Sequence, residues 1–436
     1  MKGCYLTYDK RMSRSSINFS TRSEVAKLDE SDFLAEFRKD FYFSDPSVCY
    51  LDGNSLGRLP LATIDVVNDY LLNEWGKQLV AGWNSWIDEA QRVGDVIGRA
   101  ALGVKEGQML AVDTTSVNFY QLCHAACSAG SGRKTVISDT ANFPTDRYIL
   151  EGICTQLGLK LVLINDETGE ECITPSMLEP YLDENVALVT FSVIQYRSGA
   201  LHDVKNISKM ARDVGAFHVW DASHAVGVVP LELDHDQAGL AVGCTYKYGN
   251  SGPGAPAWMY ISESLQQQLG VPIQGWFAQD DQFAMAQEFD RSPTIRGFQI
   301  ASPSIIGLRC VETAFNMIER AGMTAIAQKA AIGTDLMIAL HDEWLAPLGC
   351  SVVTPRDSGR RGGHITIRHP EARRISLALR EFANVVVDYR QPDCIRLAIS
   401  PLATSYLEVW DGFQRLREVI ATKKYESVTE SSSRVT

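Results

Sequence analysis

Three stretches of the chain carry residue types that can do chemistry together. In TYKYGNSGPG, Lys247 lies between Tyr246 and Tyr248, ahead of a Gly-rich loop. That setting predicts a desolvated amine flanked by hydroxyl donors and able to form an imine. In VWDASH, Asp221 follows a β-rich run, which puts its carboxylate at a strand end. There it can keep a pyridine nitrogen protonated, and a protonated pyridine ring is an electron sink for a carbanion at Cα. The competing use of Asp221, or of Ser223, is as a helix N-cap. In VDTTSVN, Thr114, Thr115 and Ser116 precede a helix predicted to begin near Asn118. Hydroxyls and unpaired backbone N–H groups at a helix start suit a phosphate monoester, although an ordinary Ser/Thr cap uses the same residues. A phosphate cup, then an Asp at a strand end, then a Lys on a later loop agree on one cofactor, pyridoxal 5'-phosphate (PLP). A fourth stretch, DCIRLAISPL, places Arg396 on a strand. A guanidinium forks onto a carboxylate with two parallel hydrogen bonds, as an amino-acid substrate requires, and a structural ion pair is the other use of such an arginine.

The elements that must position these residues follow from periodicity. Between 130 and 262, the runs TVISD, KLVLIN, VALVTFSVI, FHVWD and APAWMYI alternate with polar helical stretches, which predicts βαβ units and a mostly parallel sheet. Open sheets of that kind bind ligands at the carboxyl ends of their strands, where Asp221 falls. LDESDFLAEFRKDF has the spacing of an amphipathic helix, and YLDGNSLGRLP reads as a short strand running into a turn-rich loop. From about 305 a long helix, GLRCVETAFNMIERAG, opens a region where helices alternate with strands such as HITI and CIRLAI. The expected organisation is an N-terminal arm and helix (1–59), a large α/β domain with a mostly parallel central sheet (60–305), a smaller α+β C-terminal domain (306–425), and a polar, disordered tail (426–436).

Composition excludes several classes. With 45% apolar and 22% charged residues, the 436-residue chain is of globular type. Its net charge of −12 argues against a nucleic-acid partner, since Arg360-Arg361 and Arg373-Arg374 are too small a basic surface to displace counterions. No apolar run is long enough to span a bilayer. Ten scattered cysteines form no disulfide framework, and the first residues lack a signal-peptide core, so a cytoplasmic location is expected. Cys123, His124 and Cys127 fall in a small-residue helix without a second ligand pair, and no metal is expected. The Gly-rich stretches near 128 and 249 lack Rossmann and P-loop spacing.

YLDGNSLG, EWGKQLVAGWN, DTTSVN, NFPTDRY, YRSGALHD, VWDASHAVG, CTYKYGNSGPG, GWF, RGGHITI and PDCIRLAISPL occur in this order between about Tyr50 and Ser405. Together they resemble the kynureninase family, PLP-dependent enzymes of fold type I in the aspartate aminotransferase superfamily. The resemblance implies that Lys247 is the Schiff-base lysine and Asp221 the pyridinium partner, with Asp146 a second carboxylate near that nitrogen and Phe143 stacked on the ring. It implies that Thr115, Ser116 and Tyr246 hold the phosphate, that Trp276 reaches it from the neighbouring subunit of a homodimer, and that His224 lies close to the cofactor. Arg396 takes the substrate α-carboxylate. The implied reaction is hydrolytic Cβ–Cγ cleavage of L-kynurenine or 3-hydroxykynurenine to L-alanine and an anthranilate, with Lys247 moving the Cα proton and Tyr246 as a proton relay.

Departures from the family pattern cluster where a substrate would lie. After GW, where the family has a small residue and then Gly-His, Ala278 and Gln279 replace the Gly-His pair; Ala301-Ser302 replace Ser-Asn or Gly-Thr, Ala403 replaces a tyrosine, and Gly249 replaces a leucine. Losing a histidine and a phenol removes polar contacts on which discrimination depends. One reading is a kynureninase with a substrate pocket rebuilt from Trp83, Asn84, Gln279 and Ser302. Another is a PLP enzyme of specialised metabolism acting on a different L-amino acid, by β-elimination (a C–S lyase) or decarboxylation. A third is a non-catalytic paralogue, against which joint retention of Lys247, Asp221, Asp146 and Arg396 speaks.

Overall fold

The computed structural model describes residues 19 and 21–428, apart from 131, 167, 168 and 170. The first part of the expected N-terminal arm and residues 429–436 of the expected tail lie outside the described residues. Within them the strands, in chain order, are β1 (Cys49–Tyr50), β2 (Met109–Val112), β3 (Thr135–Asp139), β4 (Lys160–Ile164), β5 (Val186–Ser192), β6 (Phe217–Asp221), β7 (Leu240–Gly243), β8 (Ala257–Ile261), β9 (Ser351–Val352), β10 (His364–Arg368), β11 (Val385–Val386), β12 (Asp388–Arg390) and β13 (Cys394–Ala398).

Every residue of β5, β7 and β8 is buried, the mark of strands covered on both faces. They belong to a seven-stranded sheet in the order β2-β8-β7-β6-β5-β3-β4. The five strands from β7 to β4 run parallel, while β8 is antiparallel to β7 and β2. Because β4 lies on one side of β3 and β5 on the other, the direction of winding reverses there. The crevice beyond the carboxyl ends of β3 and β5 is the place where such a sheet receives a ligand. The helices Thr115–Ala129 and Pro144–Leu157 pack against this sheet through Phe119, Leu122, Cys123, Leu150 and Ile153.

A four-stranded antiparallel sheet, β12-β13-β10-β9, carries a second core with the helices Met323–Leu340, Ala372–Ala383 and Tyr406–Ala421. The N-terminal helix Arg22–Glu30 joins this core through Val25, and Asp29 accepts the backbone N–H groups of Tyr406 and Leu407. β1 pairs in parallel with β11 and ties the same segment to the C-terminal region.

Two elements differ from expectation. The helix expected over LDESDFLAEFRKDF splits into Arg22–Glu30 and a 3-10 segment Ala35–Asp40, because the Asp32 side chain accepts from Leu34 N–H and turns the chain between them. The helix expected near Asn118 begins at Thr115, with Thr114 as its N-cap accepting from Val117 N–H at 3.3 Å. At the other end of the chain, Lys424–Ser427 form a 3-10 turn with Tyr425 and Val428 buried, so ordered chain extends past residue 426.

Candidate active site

One cavity of about 210 Å³ opens at the carboxyl ends of β5 and β6 and gathers residues from far apart in the chain. Lys247, Tyr246, Asp221, Asp146, His224, Phe143, Thr115, Ser116 and Arg396 all line it. Of the two tyrosines flanking Lys247, only Tyr246 faces the cavity. Tyr248 is 2% exposed and sits in the core, so only one of the two phenols shares the cavity with the amine. Lys247 Nζ lies 3.0 Å from His224 Nε2, and the His224 ring packs 5.5 Å from that of His364. Burial, and then the Lys247 charge, hold His224 well below the usual imidazole range, leaving a neutral ring to pair with the amine.

The lysine loop is held from below by glycine. Gly57 N–H donates to Tyr246 C=O at 2.8 Å, and a Cβ on Gly57 would come within 2.4 Å of Lys247 C=O and 2.8 Å of Asn250 Cα. Gly249, where the family has a larger residue, packs its backbone on Phe315; a Cβ there would meet Thr245 C=O at 2.3 Å.

The carboxylates form a buried group. Asp221 ends β6 on the cavity wall, and its Oδ1 accepts from Ser223 N–H at 2.8 Å in a turn; no helix follows for it to cap. Asp146, 3% exposed, is pushed well above the usual carboxyl range by burial and by Asp221, with which it shares a hydrogen bond. Asp139, at the end of β3, lies behind them. It is pushed up to about 7 by burial, against the pull of the Gln195 amide that donates to it at 2.9 Å. Phe143 is oriented by Asn142, whose Oδ1 accepts from Phe143 N–H and from Ser192 Oγ, both at 2.8 Å. Its ring meets Tyr196 edge-on at 5.2 Å. Thr115 and Ser116 open their helix at the cavity wall, where the first backbone N–H groups and the helix dipole favour an anion.

Arg396 is 1% exposed on β13. Its Nε donates to Asp388 Oδ2 at 2.6 Å, its Nη1 to Tyr196 C=O at 2.6 Å, and its Nη2 to Ser55 Oγ at 3.0 Å. Arg396 thus makes the buried ion pair foreseen as one use and also lines the cavity.

Five other sequence-derived candidates do not line the cavity within the chain. Trp83 packs edge-on against Trp86 and tilted against Phe277, and Asn84 is exposed. Gln279 turns its Oε1 to Asp290 N–H at 2.8 Å, which holds a local loop. Ser302 is exposed, and Trp276 is half exposed, with its indole N–H donated to Gln282 C=O at 2.8 Å. Ala278 and Ala403 are buried in the protein core. Conversely, sequence reasoning missed Asn54, Ser55, Tyr196 and Arg390, which line the cavity. The YLDGNSLG, YRSGALHD and PDCIR motifs contain or adjoin all four, and a helpful signal was the density of polar residues around Gly in the first of them.

The donor set suits PLP. Among the described residues, both amide atoms of the fully buried Asn54, Asp146 Oδ2 and His224 Nδ1 find no hydrogen-bond partner on this wall. Such groups carry a substantial penalty unless a polar ligand meets them. A phosphate monoester fits the helix start, a pyridine nitrogen fits the carboxyl pair, and an aldehyde fits Lys247. Among the described residues, no group of three or more His, Cys, Asp or Glu side chains is placed to hold a metal, and no helix is long and apolar enough to cross a membrane.

Comparison with known proteins agrees with this geometry. Residues 326–416 match the kynureninase C-terminal domain family. Kynureninase from Pseudomonas fluorescens is 34% identical over 414 residues, spanning 93% of this chain and 97% of the relative. Kynureninase from Burkholderia pseudomallei is 34% identical over 416 residues, with the same coverage. Among solved structures, a cysteine desulfurase from Thermococcus onnurineus NA1 superposes with a TM-score of 0.78 at 18% identity, covering 89% of this chain and 98% of that one. The cystine C–S lyase C-DES superposes with a TM-score of 0.74 at 15% identity, covering 86% and 98%. The fold is that of the fold-type-I PLP enzymes, and the likeness to kynureninases extends over nearly the whole chain. The chain is a PLP-dependent enzyme and belongs to the kynureninase family.

Proposed function

We propose that the enzyme hydrolyses the Cβ–Cγ bond of L-kynurenine or 3-hydroxykynurenine, releasing L-alanine and anthranilate or 3-hydroxyanthranilate. The observation that carries this reading is the convergence of Lys247, the Asp146–Asp221 pair, the Thr115–Ser116 helix start and Arg396 on one cavity, in a chain similar to kynureninases over almost its full length. Lys247 would bind PLP covalently, Asp221 and Asp146 would hold its ring nitrogen, Phe143 would lie on its face, and Thr115, Ser116 and Tyr246 would hold its phosphate. Bound PLP supplies an electron-withdrawing ring that stabilises negative charge at the substrate Cα. Arg396 anchors the α-carboxylate and so aims the Cα–H bond. Lys247 Nζ takes that proton, with neutral His224 3.0 Å away as its hydrogen-bond partner. Burial keeps the Tyr246 phenol protonated and able to donate a proton as the acyl group leaves. Water adding to the γ-carbonyl completes the hydrolysis.

We further infer a cytoplasmic homodimer with its sites at the subunit interface. Leu61, Ile64, Leu71, Leu72, Trp75, Leu79 and Val80 form a run of exposed apolar side chains, and Trp276, Phe283 and Met285 add another. Patches of this kind mark an interaction surface. In a dimer, Trp83, Asn84, Trp276, Gln279 and Ser302 would act on the partner's cavity rather than their own. The second reading, cleavage of another L-amino acid by β-elimination or decarboxylation, is favoured by the burial of Ala403 where the family pattern has a tyrosine.

Purified protein supplemented with PLP is incubated with each kynurenine, and anthranilate or hydroxyanthranilate release is followed by fluorescence. Release supports the hydrolase. Absence of both products, with turnover of a cysteine conjugate or another L-amino acid, establishes the second reading instead. The visible band of lysine-bound PLP is expected in the wild type and lost in Lys247→Ala; a band that survives this substitution refutes the assignment of the lysine.

A further inference from the structure

Arg396 has little left to offer a substrate. A guanidinium carries five N–H groups. On Arg396, Nε donates to Asp388, Nη1 to Tyr196 C=O and Nη2 to Ser55 Oγ, and Nη2 also stands in ion-pair contact with Asp388 Oδ2. All three nitrogens are already engaged, Nη1 with a single partner, whereas a forked pair with a carboxylate needs two N–H groups aimed at it. At 1% exposure the side chain has no water to replace a bond it gives up, so turning it would leave Asp388 or the Tyr196 carbonyl unpaired in a buried setting.

A second guanidinium stands beside it. Asp388 lies directly opposite Arg396 in the β12/β13 ladder, and Arg390 is two residues further along β12, which puts all three side chains on one face of the sheet. The Arg390 Nε lies 2.9 Å from the same Asp388 Oδ2 that accepts from Arg396. The Arg390 side chain is 37% exposed and lines the same cavity as Arg396 and Lys247. Asp388 is shared by both arginines, so it does not neutralise the two of them.

We propose that Arg390 is the second arm of the substrate-carboxylate clamp, completing with Arg396 Nη1 the pair of donors that Arg396 cannot supply alone, and that Asp388 is the positioning residue that holds the two guanidinium groups side by side. The inference rests on the reading of this cavity as a PLP site for an L-amino acid. It assigns specificity for the α-carboxylate to a pair of residues on one short strand.

The test uses the PLP-loaded protein with L-alanine and L-alaninamide as probes, binding being read from the change each causes in the visible band. In the wild type L-alanine binds more tightly than its amide. Arg390→Met is expected to weaken L-alanine by about tenfold to a hundredfold, the worth of a charge-assisted hydrogen bond, while L-alaninamide stays within about twofold. Arg390→Lys should restore part of the preference. Asp388→Asn should lower it in the same sense, and a preference left at its wild-type value removes Asp388 from the clamp. Unchanged L-alanine binding in Arg390→Met, or equal weakening of both probes, overturns the proposal. A wild-type protein without a visible band would instead overturn the cofactor reading itself, so the two failures are distinguishable.

Discussion

Replacing Asp139 by asparagine is expected to stabilise the cofactor-free protein at pH 8 relative to its effect at pH 5. Asp139 is 1% exposed at the end of β3; Oδ1 accepts from Gln195, and the carboxyl faces the backbone N–H groups of Ala141 and Asn142. Burial lifts its carboxyl from the ordinary 3.8 to about 7. Between those values the folded chain keeps a proton that the unfolded chain has released, so stability falls as pH rises, and the loss is complete above about pH 7. The full shift of about three units is worth up to about 4 kcal/mol at roughly 1.4 kcal/mol each, and the part falling between pH 5 and pH 8 is about 3 kcal/mol. Asparagine keeps the acceptor for Gln195 and has no charge to bury. Any cost of its amide N–H is the same at both pH values, so the difference between them isolates the charge. Urea unfolding followed by tryptophan fluorescence at pH 5 and pH 8 measures it. If the stability difference between the variant and wild type is the same at both pH values, Asp139 is not titrating in the folded state, and the account of the buried acid group fails.

Other substitutions probe the rest of the site. Gly57→Ala should push the Lys247 loop away, costing about 1–3 kcal/mol in unfolding measurements and lowering kcat by at least about tenfold. Ser116→Ala should weaken PLP binding by roughly tenfold, the worth of one hydrogen bond to a charged group, as read by titration of the visible band. Leu72→Asp changes a side chain that is 69% exposed, so in a monomer it would alter stability by no more than about 0.5 kcal/mol. Sedimentation velocity should show it converting the dimer to monomers, and a wild type that sediments as a monomer would rule out the inferred assembly.

The cofactor half of the site was legible in the sequence because its parts are local. Asp221 is a strand end, Thr115 and Ser116 are a helix start, and Lys247 precedes a Gly-rich loop, each readable from a few neighbouring residues. The parallel sheet was legible for the same reason, through β-branched runs separated by helical stretches. The substrate half was less legible, because it depends on contacts between distant segments. Gln279 has the right chemistry for a pocket, yet within its own chain its Oε1 accepts from Asp290 N–H and it lies off the cavity. Arg390 has no local signature, yet Asp388 brings it to Arg396. The split of the N-terminal helix at Asp32 shows that local competition can override periodicity when a side chain captures a backbone N–H two residues on.

The pairing of Ser55 with Arg396 spans 341 positions, and β1 pairs with β11 near the other end of the chain. A ribosome adding about 5–20 residues per second needs on the order of 20–70 s to span that interval. For that time the segment carrying Asn54 and Ser55 has neither its strand partner nor its arginine. The cavity therefore closes only after β11 and β13 have been made, and cofactor capture waits for them.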